Sequence, residues 1–360
     1  MKKYIPIIVM LLMISSSFFG MSKVIDNSSI ITNKSDILYV GGDGPGNYSK
    51  IQDAIDNASD GDTVFVYNGT YVENLIVNKS ISLIGENKET TIIDGNKTND
   101  FISIFADGVC INGFYIKNGY TGCLVISDDN IIMDNIFDCY YSCIESPEEK
   151  RNSNNTFSNN IFFNSSVSIN LYKSDYNNIS GNILSKFDTT GINIQNSHHN
   201  VIYNNKFLES PDSAKSDLYF YISKDNYILN NNLSYRCNNN GIILYDSINN
   251  HFQRNVISNK RYAIDLSDLC INNNILENNI SGNNEGIFLK KFSIGNTFYN
   301  NNFINNDNDA SFALFSFFNK WDGNYWDKSR ILPYPIFGTL GLFIPLVNFD
   351  WHPAQEPFGI

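Results

Sequence analysis

Polar and apolar positions through the middle of this chain repeat in a fixed phrase, Asn-x-φ-x-x-Asn-x-φ, where φ is Ile, Leu or Phe. The phrase begins at Asn130, Asn155, Asn177, Asn200, Asn226, Asn250, Asn273 and Asn296, at spacings of 25, 22, 23, 26, 24, 23 and 23 residues. A further apolar run follows 13 to 15 residues after most anchors, as in GINI at Gly191, GIIL at Gly241, AIDL at Ala263 and GIFL at Gly286. Each unit therefore predicts two short strands that meet at the second Asn, then a third strand. A unit of this size cannot bury its apolar face alone, whereas stacked copies can. Three strands per turn, stacked parallel at about 4.8 Å, make one coil of a β-helix. The expected fold is all-β, a single-stranded right-handed parallel β-helix of ten to eleven coils and a rod roughly 50 Å long. The φ residues should stack into one core, and the second Asn of each unit into a side-chain amide ladder at the bend. A leucine-rich repeat has a similar period but needs a Leu-rich consensus with a helical half, which no unit supplies.

The flanks break the pattern. Ile37–Val40 reads as a strand and Ser49 as an N-cap, followed by Ile51, Ala54, Ile55 and Ala58 at helical spacing. Short β runs then extend to Thr91–Ile93. The phrases IQDAIDNASDGDTVFV, NGTYVENLIVNKSISLIGE and TIIDG resemble the N-terminal cap and first coils of the pectin-lyase-like β-helix superfamily. From Phe312 the chain is aromatic and proline-containing, and holds all three Trp. NKWDGNYWD at Asn319 resembles the closing segment of NosD-like β-helix repeat proteins, which implies an exported or surface protein. The acidic run that often follows in that family is replaced by Lys328-Ser329-Arg330, so no calcium site is carried over and calcium stays unsupported. The expected organisation is a signal peptide over 1–22, cap and first coils over 37–95, repeats over 96–311 and a C-terminal cap over 312–360. The cap covers a sheet end that would otherwise pair with another chain. The apolar stretch Ile331–Val347 carries three prolines and is too short for a membrane span. Two units are longer, by Pro147–Asn152 and Leu208–Asp217. They fall at different points of the coil and are not expected to face each other across one groove.

Composition sharpens this picture. The chain has 360 residues and a net charge of −12, which disfavours nucleic acid as a partner. Asn occurs 57 times, an excess that needs a structural cause. Lys2 and Lys3 precede an apolar run from Ile5 to Ile14 and then small residues, the layout of a secretory signal. Secretion or display at the cell surface follows, with contact to a membrane only through that segment if it is not cleaved.

Candidate chemistry is sparse. The carboxylate clusters, Gln/Asp/Arg sets and DPHD motif of β-helix hydrolases, esterases and epimerases are missing. One stripe lies 9 to 11 residues after the anchors, Lys186, Arg236, Lys260 and Arg261, with Asp188 and Glu209 among them. Stacking would bring these onto one edge, where they could bind an acidic polysaccharide or keep the turns solvated. Arg236, Arg261 and Asp265 are the candidates if the protein is a polysaccharide lyase. The NosD resemblance implies copper delivery, but His198, His199, His251 and His352 form no evident cluster, and no metal site is assigned. Cys123 and Cys143 each begin a third strand in consecutive coils and are expected to stack, as a disulfide or as two thiols. The reading is an exported β-helix protein, structural or carbohydrate-binding.

Overall fold

The computed structural model describes residues 35–97, 100–341 and 343–360. The proposed signal peptide lies outside them. The chain winds into a parallel β-solenoid with three ladders of strands. The first ladder contains strands such as His251–Gln253, the second strands such as Val256–Ser258, and the third strands such as Asn240–Tyr245. Neighbouring turns pair in register, for example Phe252 on Ile275, Ile257 on Ile280 and Ile242 on Ile264. The second ladder holds twelve strands, and the terminal hairpin joins the other two into a 26-stranded assembly. The solenoid has about thirteen turns, more than the ten to eleven expected, because the turns before Asn130 wind without the Asn phrase.

The φ residues are fully buried in vertical stacks, such as Ile202, Ile228, Phe252, Ile275 and Phe298. Beside them run two amide ladders. The second Asn of each unit, from Asn135 through Asn160, Asn182 and Asn205 to Asn324, receives the backbone N–H of its predecessor on Oδ1. The anchors from Asn130 to Asn319 do the same, as in Asn250 N–H to Asn273 Oδ1 at 2.9 Å. All of these side chains are buried, and each Nδ2 donates to a ladder neighbour or a backbone carbonyl, as Asn255 does to Ile228 and Asn278. A third ladder of hydroxyls follows the third strand, with Ser174 N–H bonded to Ser197 Oγ and Ser293 N–H to Ser316 Oγ. Cys270 takes one place in it, its own N–H bonded to Ser293 Oγ.

A second role uses up more Asn. The residue before each ladder Asn has positive φ, as at Asn154, Asn159, Asn204, Asn230, Asn249 and Asn300. Asn tolerates this left-handed backbone better than other side chains of its size.

At the N-terminal end α1, Ile51–Asn57, buries Ile51, Ala54 and Ile55 against the first turns. Its N-terminus is not capped by Ser49. Glu73, from the GTYVE phrase, accepts the backbone N–H groups of Ile51 and Gln52 at 2.9 and 3.1 Å. That glutamate is thereby engaged as a helix cap. At the other end the core turns aromatic. Phe298 stacks on Trp321 at 3.9 Å, Phe303 on Trp326 at 4.3 Å, and Trp326 on Tyr334 at 4.0 Å. The antiparallel hairpin Tyr334–Leu340 and Ile344–Asp350 lies beyond them.

The Cys123 and Cys143 stack does not form. Cys123 is in register with Ile144, because Cys123 is the third residue of its strand and Cys143 the second of its own, so that Gly122 faces Cys143. All six cysteines are free thiols. Cys123, Cys139 and Cys143 share the core, and burial pushes the Cys123 and Cys139 thiols far above their usual range.

Candidate functional site

The two insertions border the same sheet. Pro147–Asn152 leaves the third-ladder strand Ser142–Ser146, and Leu208–Lys215 leads into the third-ladder strand Ser216–Tyr221. They therefore lie at opposite edges of the third ladder, three strands apart, at different points of the coil. The outward row between them reads Glu145, Asn170, Asn193 and Tyr219, continuing to Ile243, Asp265, Phe288 and Ser311. Asn193 Nδ2 donates to Asn170 Oδ1 at 2.7 Å. Lys215 Nζ sits 3.7 Å over the Tyr219 ring. Burial pushes the Tyr219 phenol up to about 12 and raises Tyr172 and Tyr141 as well. These phenols stay protonated at neutral pH.

A cleft of about 450 Å³ opens where the chain turns from the second ladder into the third. Asp212, Arg236, Cys237, Asn238, Asn259, Lys260, Gly282 and Asn284 line it. Four successive turns thus converge there. With the Lys260 ammonium buried, the lining offers one cation, Arg236, one carboxylate and three amides, a polar set suited to a hydroxyl-rich ligand. Beneath it lies a buried charge cluster. Lys260 Nζ is 2.9 Å from Asp217 Oδ2, with both side chains fully buried. It also sits 3.3 Å over the Tyr235 ring. Asp217 Oδ1 accepts Tyr235 Oη–H at 2.5 Å and Asn239 Nδ2–H at 2.9 Å. Burial pushes the Asp217 carboxyl up and the Lys260 ammonium down, and each is opposed by the other's charge.

The stripe expected from spacing is only partly assembled. Arg236 and Lys260 share the cleft. Lys186 and Glu209 face each other at 3.8 Å as an exposed pair, and Asp188 is exposed. Arg261 and Asp265 do not line the cleft. Arg261 lies 5.2 Å from the Tyr262 ring, and Asp265 is held by Ser267 Oγ at 2.6 Å and Lys290 Nζ at 3.3 Å. The arrangement does not set Arg236, Arg261 and Asp265 around one reacting atom. Sequence reasoning missed Asp217, Tyr235 and Asn239. The available signal was Asp217 standing at the third-strand position that Gly191 and Gly241 fill on adjacent turns.

This geometry defines a parallel β-helix with a polar cleft at one corner. The chain belongs to the NosD family, described as periplasmic copper-binding protein, whose profile matches residues 55–215 and 211–330. It is 31% identical over 142 residues to a cell surface glycoprotein of Methanothermus fervidus, which spans 39% of this chain and 20% of that protein. The chain thus matches about a fifth of that relative's length. Among solved structures it resembles XylC in complex with xylose, at 12% identity and TM-score 0.61 over 74% of this chain and 75% of that one. It also resembles the A-module of the mannuronan C-5 epimerase AlgE6 of Azotobacter vinelandii, at 14% identity and TM-score 0.53, over 76% and 93%. These likenesses establish the fold.

Copper, named in the family description, asks for clustered soft or imidazole donors. The described residues contain no group of three or more His, Cys, Asp or Glu able to hold a metal ion. His199 stacks on Tyr176 at 4.7 Å and His251 on Tyr227 at 4.8 Å. Five of the six thiols are buried. This donor set does not fit a copper site.

Proposed function

We propose that this protein is an extracellular β-helix module that binds an acidic polysaccharide at the Arg236 cleft, with the chain running on across the third ladder. The carrying observation is the cleft itself, where Arg236 and three Asn amides meet over a locked Lys260–Asp217 pair. A rigid floor lowers the ordering cost of binding. The tyrosine-bearing strip beside it offers ring faces for sugars. The partial match to a cell surface glycoprotein supports display outside the cell.

Binding is tested with uronate-containing and neutral oligosaccharides, comparing the protein with its Arg236→Ala variant. Retention of acidic ligands by the parent and at least a tenfold loss in the variant supports the reading. Equal binding by both removes the cleft. The lyase alternative is checked by watching incubations for unsaturated products near 235 nm. The scattered positions of Arg236, Arg261 and Asp265 lead us to expect none.

A further inference from the structure

The C-terminal hairpin carries an apolar surface that the solenoid does not use. From Ile331 to Phe349 the chain has no charged residue. Its base is anchored, with Tyr334 stacked on Trp326, Ile336 buried and Asp350 buried. The distal part is bare. Phe337 is 64% exposed, Phe343 86% and Ile344 61%, and Leu346 and Val347 are exposed as well. Side chains alternate across a strand, so consecutive exposed positions from Phe343 to Val347 mean that both faces of the second strand are open.

The two hairpin strands pair over seven positions, from Tyr334 on Asp350 to Leu340 on Ile344. Peptide groups on the outer edges of the tip keep water as their partner, so the tip enters with its backbone only at headgroup depth. It also continues an apolar ridge on the rod. Leu269, Phe292 and Phe315 occupy one turn position on successive coils, all exposed, with Phe292 stacked on Phe315 at 5.3 Å. Gly341, at the hairpin turn, lies beside the Phe315 ring, where an added Cβ would come within 3.7 Å of it. The lysines beside this ridge are neutralised within the protein, Lys290 by Asp265 at 3.3 Å and Lys291 by Asp268 at 3.1 Å. Ridge and tip together thus present apolar side chains beside lysines already paired within the protein, which complements a zwitterionic surface over an apolar interior.

We infer that the hairpin tip and the Leu269–Phe292–Phe315 ridge insert into the interfacial layer of a lipid bilayer. Depth is limited to the headgroup and upper acyl region, roughly 5–10 Å as for other interfacial elements. The solenoid is then held at one corner, and the Arg236 cleft, lined by turns 212–284, is not part of the inserting surface. This inference is independent of what the cleft binds.

The test uses the full chain carrying Phe343→Trp, mixed with phosphatidylcholine vesicles with and without bromine on the upper acyl carbons. The parent chain, with its native Trp residues, gives the background. We expect a blue shift of the added tryptophan and at least twofold quenching by brominated lipid, and we expect Ile344→Asp in the same chain to abolish both. Vesicle attachment through any other segment leaves the tip tryptophan unshifted and unquenched, and that result overturns the inference. Sedimentation without lipid covers the rival occupant. A dimer that Ile344→Asp dissolves, with no quenching in vesicles, assigns the surface to a second copy instead. Ile344 is exposed, so an unchanged unfolding midpoint in the Asp variant shows that lost insertion is not lost folding.

Discussion

Asp350 closes the ladder that Asn324 leaves open. Its Oδ2 accepts the Asn324 backbone N–H at 2.9 Å, the Asn324 Nδ2–H at 3.0 Å and the Trp326 Nε1–H at 3.0 Å, and its Oδ1 accepts Gly323 N–H at 3.2 Å. A carboxylate suits a terminus, because it accepts without needing a further acceptor of its own. Asp350→Ala removes the acceptor of five donors, those four and the His352 backbone N–H at 3.1 Å. We expect a loss of about 3 kcal/mol or more in urea unfolding, given about 1–3 kcal/mol per buried unmet group. Asp350→Asn should lose less, since it keeps an acceptor oxygen.

The Lys260–Asp217 contact should be costly to break from one side and cheap to remove whole. Lys260→Met leaves a buried carboxylate without its cation, and a loss of about 3–5 kcal/mol is expected. Adding Asp217→Asn removes the remaining charge while keeping an acceptor for Tyr235 and Asn239. The double variant should be more stable than the Lys260→Met single by about 2 kcal/mol or more. Chemical denaturation of the two variants decides it.

Glycine in the third strand answers a steric demand. A Cβ on Gly286 would lie 2.3 Å from the Asp309 carbonyl oxygen, and one on Gly241 2.7 Å from the Ala263 carbonyl oxygen. Gly286→Ala must push adjacent turns apart. We expect about 1–3 kcal/mol of destabilisation, visible as a lower thermal midpoint.

Histidine sets a pH dependence. Burial is the leading cause that holds His198 and His251 below their ordinary 6.5, opposed by Asp175 and Asp225. A histidine depressed in the folded state favours the neutral ring. Its contribution is complete above about 6.5 and is lost as pH falls from there through the folded value. The His198→Gln, His251→Gln variant should therefore lose less stability than the parent between pH 7 and 5. Paired denaturation curves across that range measure the difference.

Much of this architecture was legible because Asn250 and Asn255 recur at a period that only stacked turns explain. The ladder at the second Asn was readable from its place between two strands. That the anchor Asn forms an equal ladder was not, because nothing local shows that its side chain turns inward. A second share of the Asn excess was likewise hidden. Asn249 and Asn300 serve left-handed backbone, and that depends on φ, not on hydrophobic pattern. Ser49 fitted the helix cap by position, but Glu73 supplies it from the neighbouring turn, a contact made only after winding. Spacing grouped Arg236 with Lys260 correctly. It also grouped Arg261 and Asp265 with them, although one residue of advance at the corner moves a side chain from the cleft to the sheet face. Asp217 and Lys260 meet across turns that include the Leu208–Asp217 insertion, which disturbs the very period that would have aligned them.

The central claim, a glycan site at the Arg236 cleft, is tested most directly by an array of acidic and neutral polysaccharide fragments probed with the protein and with Arg236→Ala. Binding confined to acidic glycans, weakened by salt and reduced at least tenfold in the variant, is expected. Acidic-glycan binding that Arg236→Ala leaves intact, or no glycan binding at all, would contradict it.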